Sequence, residues 1–210
     1  MTVVVAGCTS ERNGTPVDGP TSEQSGENPS TSVSPSDGET YGAPRVSAPL
    51  DATKFLPKPC EALSPVQLKG FGVSKPGEPT TTGAVAENAG PFCTWHADSA
   101  VDSTIGVGFL TGNKKGLSDT YRGRSRFKFF EETTVDGYPA VFNDLSDGRP
   151  DGQCNVTVGI SDTLAFRARE EGGLVGQAAC DRAKQVAAAV IATLKAGDRK
   201  STRLNSSHER

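Results

Sequence analysis

Nowhere in the 210 residues do eighteen apolar side chains run together. No segment therefore reads as a helix that crosses a bilayer. Histidine is nearly missing, with His96 and His208 alone. None of the five cysteines stands in a CxxC spacing, and with so few imidazoles beside them a zinc site is not expected. There is no GxSxG, the turn that presents a nucleophilic serine in many hydrolases. The glycines of GVGF (106–109) lack the Lys-Ser/Thr that would follow in a phosphate loop. No internal repeat occurs. Aromatic residues are 6% of the chain, and residues 9–50 hold one, Tyr41.

What fills 9–50 instead is Ser, Thr, Gly, Pro, Glu and Asn with no apolar period. Such a stretch buries too little surface to offset its ordering entropy and reads as a disordered linker. About 42 flexible residues span roughly 35–40 Å, which suits a tether between a domain and a membrane. The linker follows MTVVVAGCTS. Val3, Val4 and Val5 precede Ala6, Gly7 and Cys8, an apolar run and two small residues before a cysteine. That ending is similar to a bacterial lipobox, whose cysteine thiol takes a diacylglycerol and becomes the mature N-terminus. With no Lys or Arg ahead of it and a short apolar run, residues 1–8 read as a truncated lipoprotein signal, with Cys8 as the lipidation site.

At the other end, DRKSTRLNSSH (198–208) matches a one-frame translation of a common short-read sequencing adapter, and 198–210 is read as an artefact. The whole chain has 22 Lys and Arg against 25 Asp and Glu. The terminal segment holds four and two of these, leaving 18 basic against 23 acidic residues and a net charge of −5. An acidic exported domain is not expected to bind nucleic acid.

Residues 51–197 carry the texture of one folded domain. In PCEALSPVQLKGFG (59–72), Ser64 caps a short helix, Pro65 suits its first turn, and Gly70 or Gly72 ends it. PFCTWHA (91–97) alternates, with Cys93 and Trp95 on one face and Thr94 and His96 on the other. STIGVGFL (103–110) sets Ile105, Val107 and Phe109 on one face. RFKFFEETTVDGYPAVFNDL (126–145) reads as two strands around Asp136-Gly137, a strong hairpin signal. CNVTVGI (154–160) and TLAFRARE (163–170) alternate on either side of Ser161-Asp162. In QAACDRAKQVAAAVIATLKAG (177–197), Cys180, Ala183, Ala187, Val190, Ile191 and Leu194 make one helical stripe. Strands with one apolar face and amphipathic helices at both ends predict an α+β fold: an antiparallel sheet packed by N- and C-terminal helices.

With Cys8 assigned to lipid, Cys60, Cys93, Cys154 and Cys180 remain, an even set that points to two disulfides in an oxidising compartment. Three pairings are possible. The sequence-near one, Cys60–Cys93 with Cys154–Cys180, ties each terminal helix to the sheet, and loops of about 30 residues make each bond worth about 3 kcal/mol.

A lipobox, a Ser/Thr/Pro linker, then PCEALSP, GPFCTW, GQCNVTV and AACDRAKQVAAAVIATL together resemble an actinobacterial lipoprotein family, domain-of-unknown-function family 3558. The resemblance covers about residues 56–194. It implies an exported, lipid-anchored, disulfide-bonded domain, and it implies no activity.

Two kinds of function stand against each other. The first is a non-catalytic binding module for an envelope ligand or partner protein, membrane-bound by its lipid on the extracytoplasmic face and needing no cofactor. Its candidate contact surface is the dense basic run of Lys114, Lys115, Arg122, Arg124, Arg126 and Lys128, suited to anionic headgroups, anionic polymers or an acidic protein. The alternative is an envelope hydrolase using His96 or a carboxylate. The pairs Glu131-Glu132 and Glu170-Glu171 resemble the carboxylates of a glycosidase, but neighbours on a strand point to opposite faces, so neither pair acts together and both read as solvated charges.

Overall fold

The computed structural model describes residues 40–98 and 103–207. All of them fall within one compact unit. Cys8, the linker up to residue 39 and residues 208–210 lie outside the described residues.

A 3-10 turn at Pro59–Ala62 leads to α1 (Pro65–Gly70). The cap is as the sequence suggests. Ser64 Oγ accepts from Gln67 N–H, Gln67 Oε1 accepts from Ser64 N–H at 2.7 Å, and Pro65 opens the helix. This reciprocal box satisfies two backbone donors that a helix start would leave open. Then follow β1 (Glu78–Thr80), α2 (Gly83–Asn88), β2 (Phe92–His96), β3 (Thr104–Phe109) and α3 (Leu117–Arg122). A meander of β4 (Phe129–Val135), β5 (Tyr138–Asp144), β6 (Gln153–Gly159) and β7 (Ala165–Glu171) leads into α4 (Gln177–Ser207).

Among the described residues the strands make one seven-stranded sheet in the order β1-β2-β3-β7-β6-β5-β4, antiparallel throughout. The Asp136-Gly137 hairpin forms, with φ of 48° and 86° at its two central residues. Both lie in the left-handed region that a two-residue turn of this hand needs, and that Asp and Gly tolerate best. The second hairpin closes where Ile160 N–H and Ser161 N–H both donate to Leu164 O.

One face of the sheet is covered by α4. Its stripe of Cys180, Ala183, Ala187, Val190, Ile191 and Leu194 is buried against Val107, Phe109, Val156, Val158 and Phe166. Each fully buried Val, Ile or Leu contributes about 1.5–3 kcal/mol. Gln67 ties α1 to this helix by donating from Nε2 to Ala189 O at 2.8 Å. Disulfides Cys60–Cys93 and Cys154–Cys180, with Cα atoms 5.1 and 5.0 Å apart, fasten the Pro59–Ala62 turn to β2 and α4 to β6. The helix runs on past Gly197 to Ser207, because one interior glycine costs a helix only about 1 kcal/mol.

The opposite face is covered only over part of its width. The chain between β3 and β4 carries α3 there, and Leu117, Tyr121 and Val141 form a second, smaller apolar cluster with Ala43 and the half-buried Phe130. Ala43 belongs to residues 40–50, which composition assigns to the linker. In the structure this stretch packs on the domain: Leu50 N–H donates to Ile160 O at 2.9 Å, and Arg45 pairs with Asp162 at 3.4 Å. Composition misses it because its anchors are three scattered apolar residues, Ala43, Val46 and Leu50, and a few hydrogen bonds, not an apolar period.

Candidate functional site

On β7, Phe166, Ala168 and Glu170 turn toward α4 and are buried, so strand alternation sends Arg167 and Arg169 to the other face. Their neighbours in register on β3 are Gly108 and Gly106. Neither glycine raises a side chain, and the space above them is where the arginines lie. A Cβ on Gly106 would sit 3.2 Å from Arg169 Cγ, and one on Gly108 would sit 3.2 Å from Phe92 Cβ. Glycine weakens a strand interior and often marks a place where something approaches the backbone closely. The outcome is a half-open cavity of about 340 Å³. Its floor is the glycine strand. Val85 of α2, Ala89 just after it and Phe92 of β2 form an apolar wall, and Asn155, Arg167 and Arg169 form a polar one.

The two cations are held differently. Arg169 pairs with Glu171 on its own strand. Arg167 is half-buried, makes no ion pair among the described residues, and its Nε has no hydrogen-bond partner. Burial pushes its pKa below the ordinary guanidinium value; Asp144 opposes this, and the like charge of Arg169 adds to it. Asp144 is itself engaged, accepting from Asn155 Nδ2 at 3.0 Å.

A second unusual group lies on the α4 side. Glu170 is 1% exposed. Ser103 Oγ donates to its Oε1, while Oε2 has no hydrogen-bond partner among the described residues. The expectation of solvated carboxylates therefore fails at this residue. Glu170 and Glu171 do point to opposite faces, but only Glu171 reaches solvent, and α4 and the sheet enclose the other. Glu131 and Glu132 are both exposed, and Glu132 pairs with Arg124 at 3.3 Å. His96 is exposed at the end of β2, with Nδ1 3.1 Å from Thr104 Oγ1.

The basic run is spread over the loop before α3, the helix itself and the turn after it. Lys114 N–H and Lys115 N–H both donate to Asp119 Oδ2. Arg122 pairs with Asp119 at 2.9 Å, and Arg124 lies over the Phe130 ring while pairing with Glu132. Arg126 and Lys128 are exposed. The acids interleaved in space, Asp119 and Glu132, dilute a charge that looks dense along the chain. The arginines that do converge on a cavity, Arg167 and Arg169, were not among the residues the sequence singled out. The signal available was the alternation of FRARE, which sets both on the polar face. What stayed hidden was the glycine strand beside them.

Among the described residues no group of three or more His, Cys, Asp or Glu is placed to hold a metal ion. The fold and the site define a disulfide-bonded α+β domain with a cationic, glycine-floored cavity. The family described as "Protein of unknown function (DUF3558)" matches residues 3–193, and the chain belongs to that family. No curated protein and no solved structure matches it.

Proposed function

We propose that the chain is an exported, lipid-anchored protein of an actinobacterial cell envelope, tethered through Cys8 on the extracytoplasmic face of the membrane. Its folded domain acts as a non-catalytic binding module for an envelope ligand or partner protein. The observation that carries this reading is the half-open cavity at Arg167 and Arg169, a concave, mostly apolar surface with a few convergent polar groups, the form that small-ligand sites take. Export is supported by the pairing of all four domain cysteines, since disulfides persist where the surroundings are oxidising. Lipidation is supported by the small residues before Cys8. Among the described residues no helix is long and apolar enough to cross a membrane, so attachment in this reading rests on the acyl chains. Lys114, Arg122, Arg124, Arg126 and Lys128 of the basic run are exposed, and with Lys115 they are the points at which a protein partner or anionic polymer would add to the contact. Nucleic acid, metal and cofactor play no part in it.

Expressed from its own gene and fed an alkynyl palmitate, the protein should take up label in the membrane fraction. Cys8→Ser should lose the label and appear in the medium. An unlabelled wild type would overturn the anchor. A hydrolytic activity of the purified protein that vanishes in His96→Ala would overturn the non-catalytic reading.

A further inference from the structure

We propose that the cavity over Gly106 and Gly108 recognises a ligand with an oxyanionic head, a carboxylate or a phosphate, joined to an apolar body, with Arg167 and Arg169 taking the head. The inference rests on the binding-module reading and specifies its ligand.

Three independent features converge. First, two guanidinium groups face one cavity; Glu171 pairs with Arg169, while Asp144 lies near Arg167 without forming an ion pair with it. A half-buried cation without its hydrogen bonds is costly, and Arg167 keeps an unpartnered Nε there. An oxyanion between the two would fill that donor, and guanidinium groups match planar or tetrahedral oxyanions with paired N–H donors. Second, β3 carries two glycines side by side on the open face of the sheet, next to both arginines in register. Each weakens the strand by about 0.5–1 kcal/mol relative to alanine, and neither has a left-handed φ to explain it. Their shared effect is to clear the backbone for close approach. Third, the rest of the wall is apolar. Phe92, Ala89 and Val85 line it, and Val85 is 61% exposed, so a bare inorganic oxyanion would leave that wall wet. About 340 Å³ lies at the small end of ligand pockets, enough for a headgroup and the first carbons of a chain that continues out of the open mouth.

The test uses the full chain with both disulfides formed and follows backbone amide signals of Gly106, Gly108 and Asn155 by NMR. Octanoate, octyl phosphate, inorganic phosphate and octanol are titrated separately. Saturable shifts at these three amides with octanoate or octyl phosphate, and none with octanol, are expected. Whichever of the two binds more tightly assigns the head as carboxylate or phosphate. Arg167→Gln/Arg169→Gln should weaken that binding at least tenfold. Gly106→Ala keeps both charges but raises the floor against Arg169; it should weaken binding several-fold, and it decides the matter if the double variant does not fold. No saturable shift with either octyl anion, an equal response to octanol, or variants that bind like the wild type would overturn the proposal. Inorganic phosphate binding as tightly as octyl phosphate would overturn its apolar half. Loss of palmitate labelling with these shifts intact would remove the anchor and leave the cavity's assignment standing, so the two failures are separable.

Discussion

Glu170 lies between Ile105 and Cys154 in register, on the face of the sheet that α4 covers. Burial pushes its pKa above the ordinary carboxylate value, opposed by the Ser103 hydrogen bond and the charge of Arg182. A folded state that holds a proton more tightly than the unfolded chain is favoured at low pH. This stability is complete below the ordinary carboxylate pKa and is lost as pH rises through the raised folded value. Urea midpoints of the wild type should therefore fall as pH rises above about 4.5. In Glu170→Gln that part of the decline should be absent and stability at neutral pH should be higher. A variant whose profile matches the wild type would show that Glu170 bears no such cost. The sequence FRAREE shows an acid at this position without showing its burial, because what closes over it is a helix that begins seven residues later together with Ser103, which precedes β3, the strand paired with β7 but distant in the chain. The same holds for Arg167 and Arg169. Their shared face follows from alternation, but the glycines that make the face hollow belong to β3, a strand distant in the chain.

Among the elements, those with long apolar periods were the legible ones. β2 and β7 alternate as their sequences do, whereas β5 is buried on both faces from Tyr138 to Asn143 because the cluster around α3 covers its second face; the stripe of α4 is the one its 3.6-residue period predicts. Ile191, fully buried on that stripe, should cost about 2–5 kcal/mol of stability when changed to alanine. Val66 on α1 is 82% exposed, and its change to alanine should move stability by no more than about 0.5 kcal/mol. Chemical denaturation of the two variants side by side measures the contrast; equal losses would mean that α4 is not the covering layer. The elements that stayed hidden are short. β1 has three residues with Pro79 in the middle, which confines it to the sheet's edge. α2 and α3 have six residues each, too few to show a period or to be stable alone, and α3 is held by the apolar surface that Val141 of β5 offers it.

For the molecule as a whole, the two disulfides join both ends of the domain to the sheet. Reduction with both bonds broken should lower Tm by about 10–25 °C, measured by calorimetry with and without reductant; an unchanged Tm would mean that the bonds carry no stability. The order of strands, with β7 returning to lie beside β3, brings FRARE next to GVGF and so creates the cavity. The α+β class, the apolar faces of the longer strands, the C-terminal helix and the near-neighbour cysteine pairing were all determined by the sequence itself, because periodicity and chain proximity are local properties. Which strands become neighbours, which acid is enclosed and which cations converge were decided only in the tertiary structure. Those outcomes depend on pairing between segments far apart in the chain, and no local pattern records which face of one strand will meet the gap left by another.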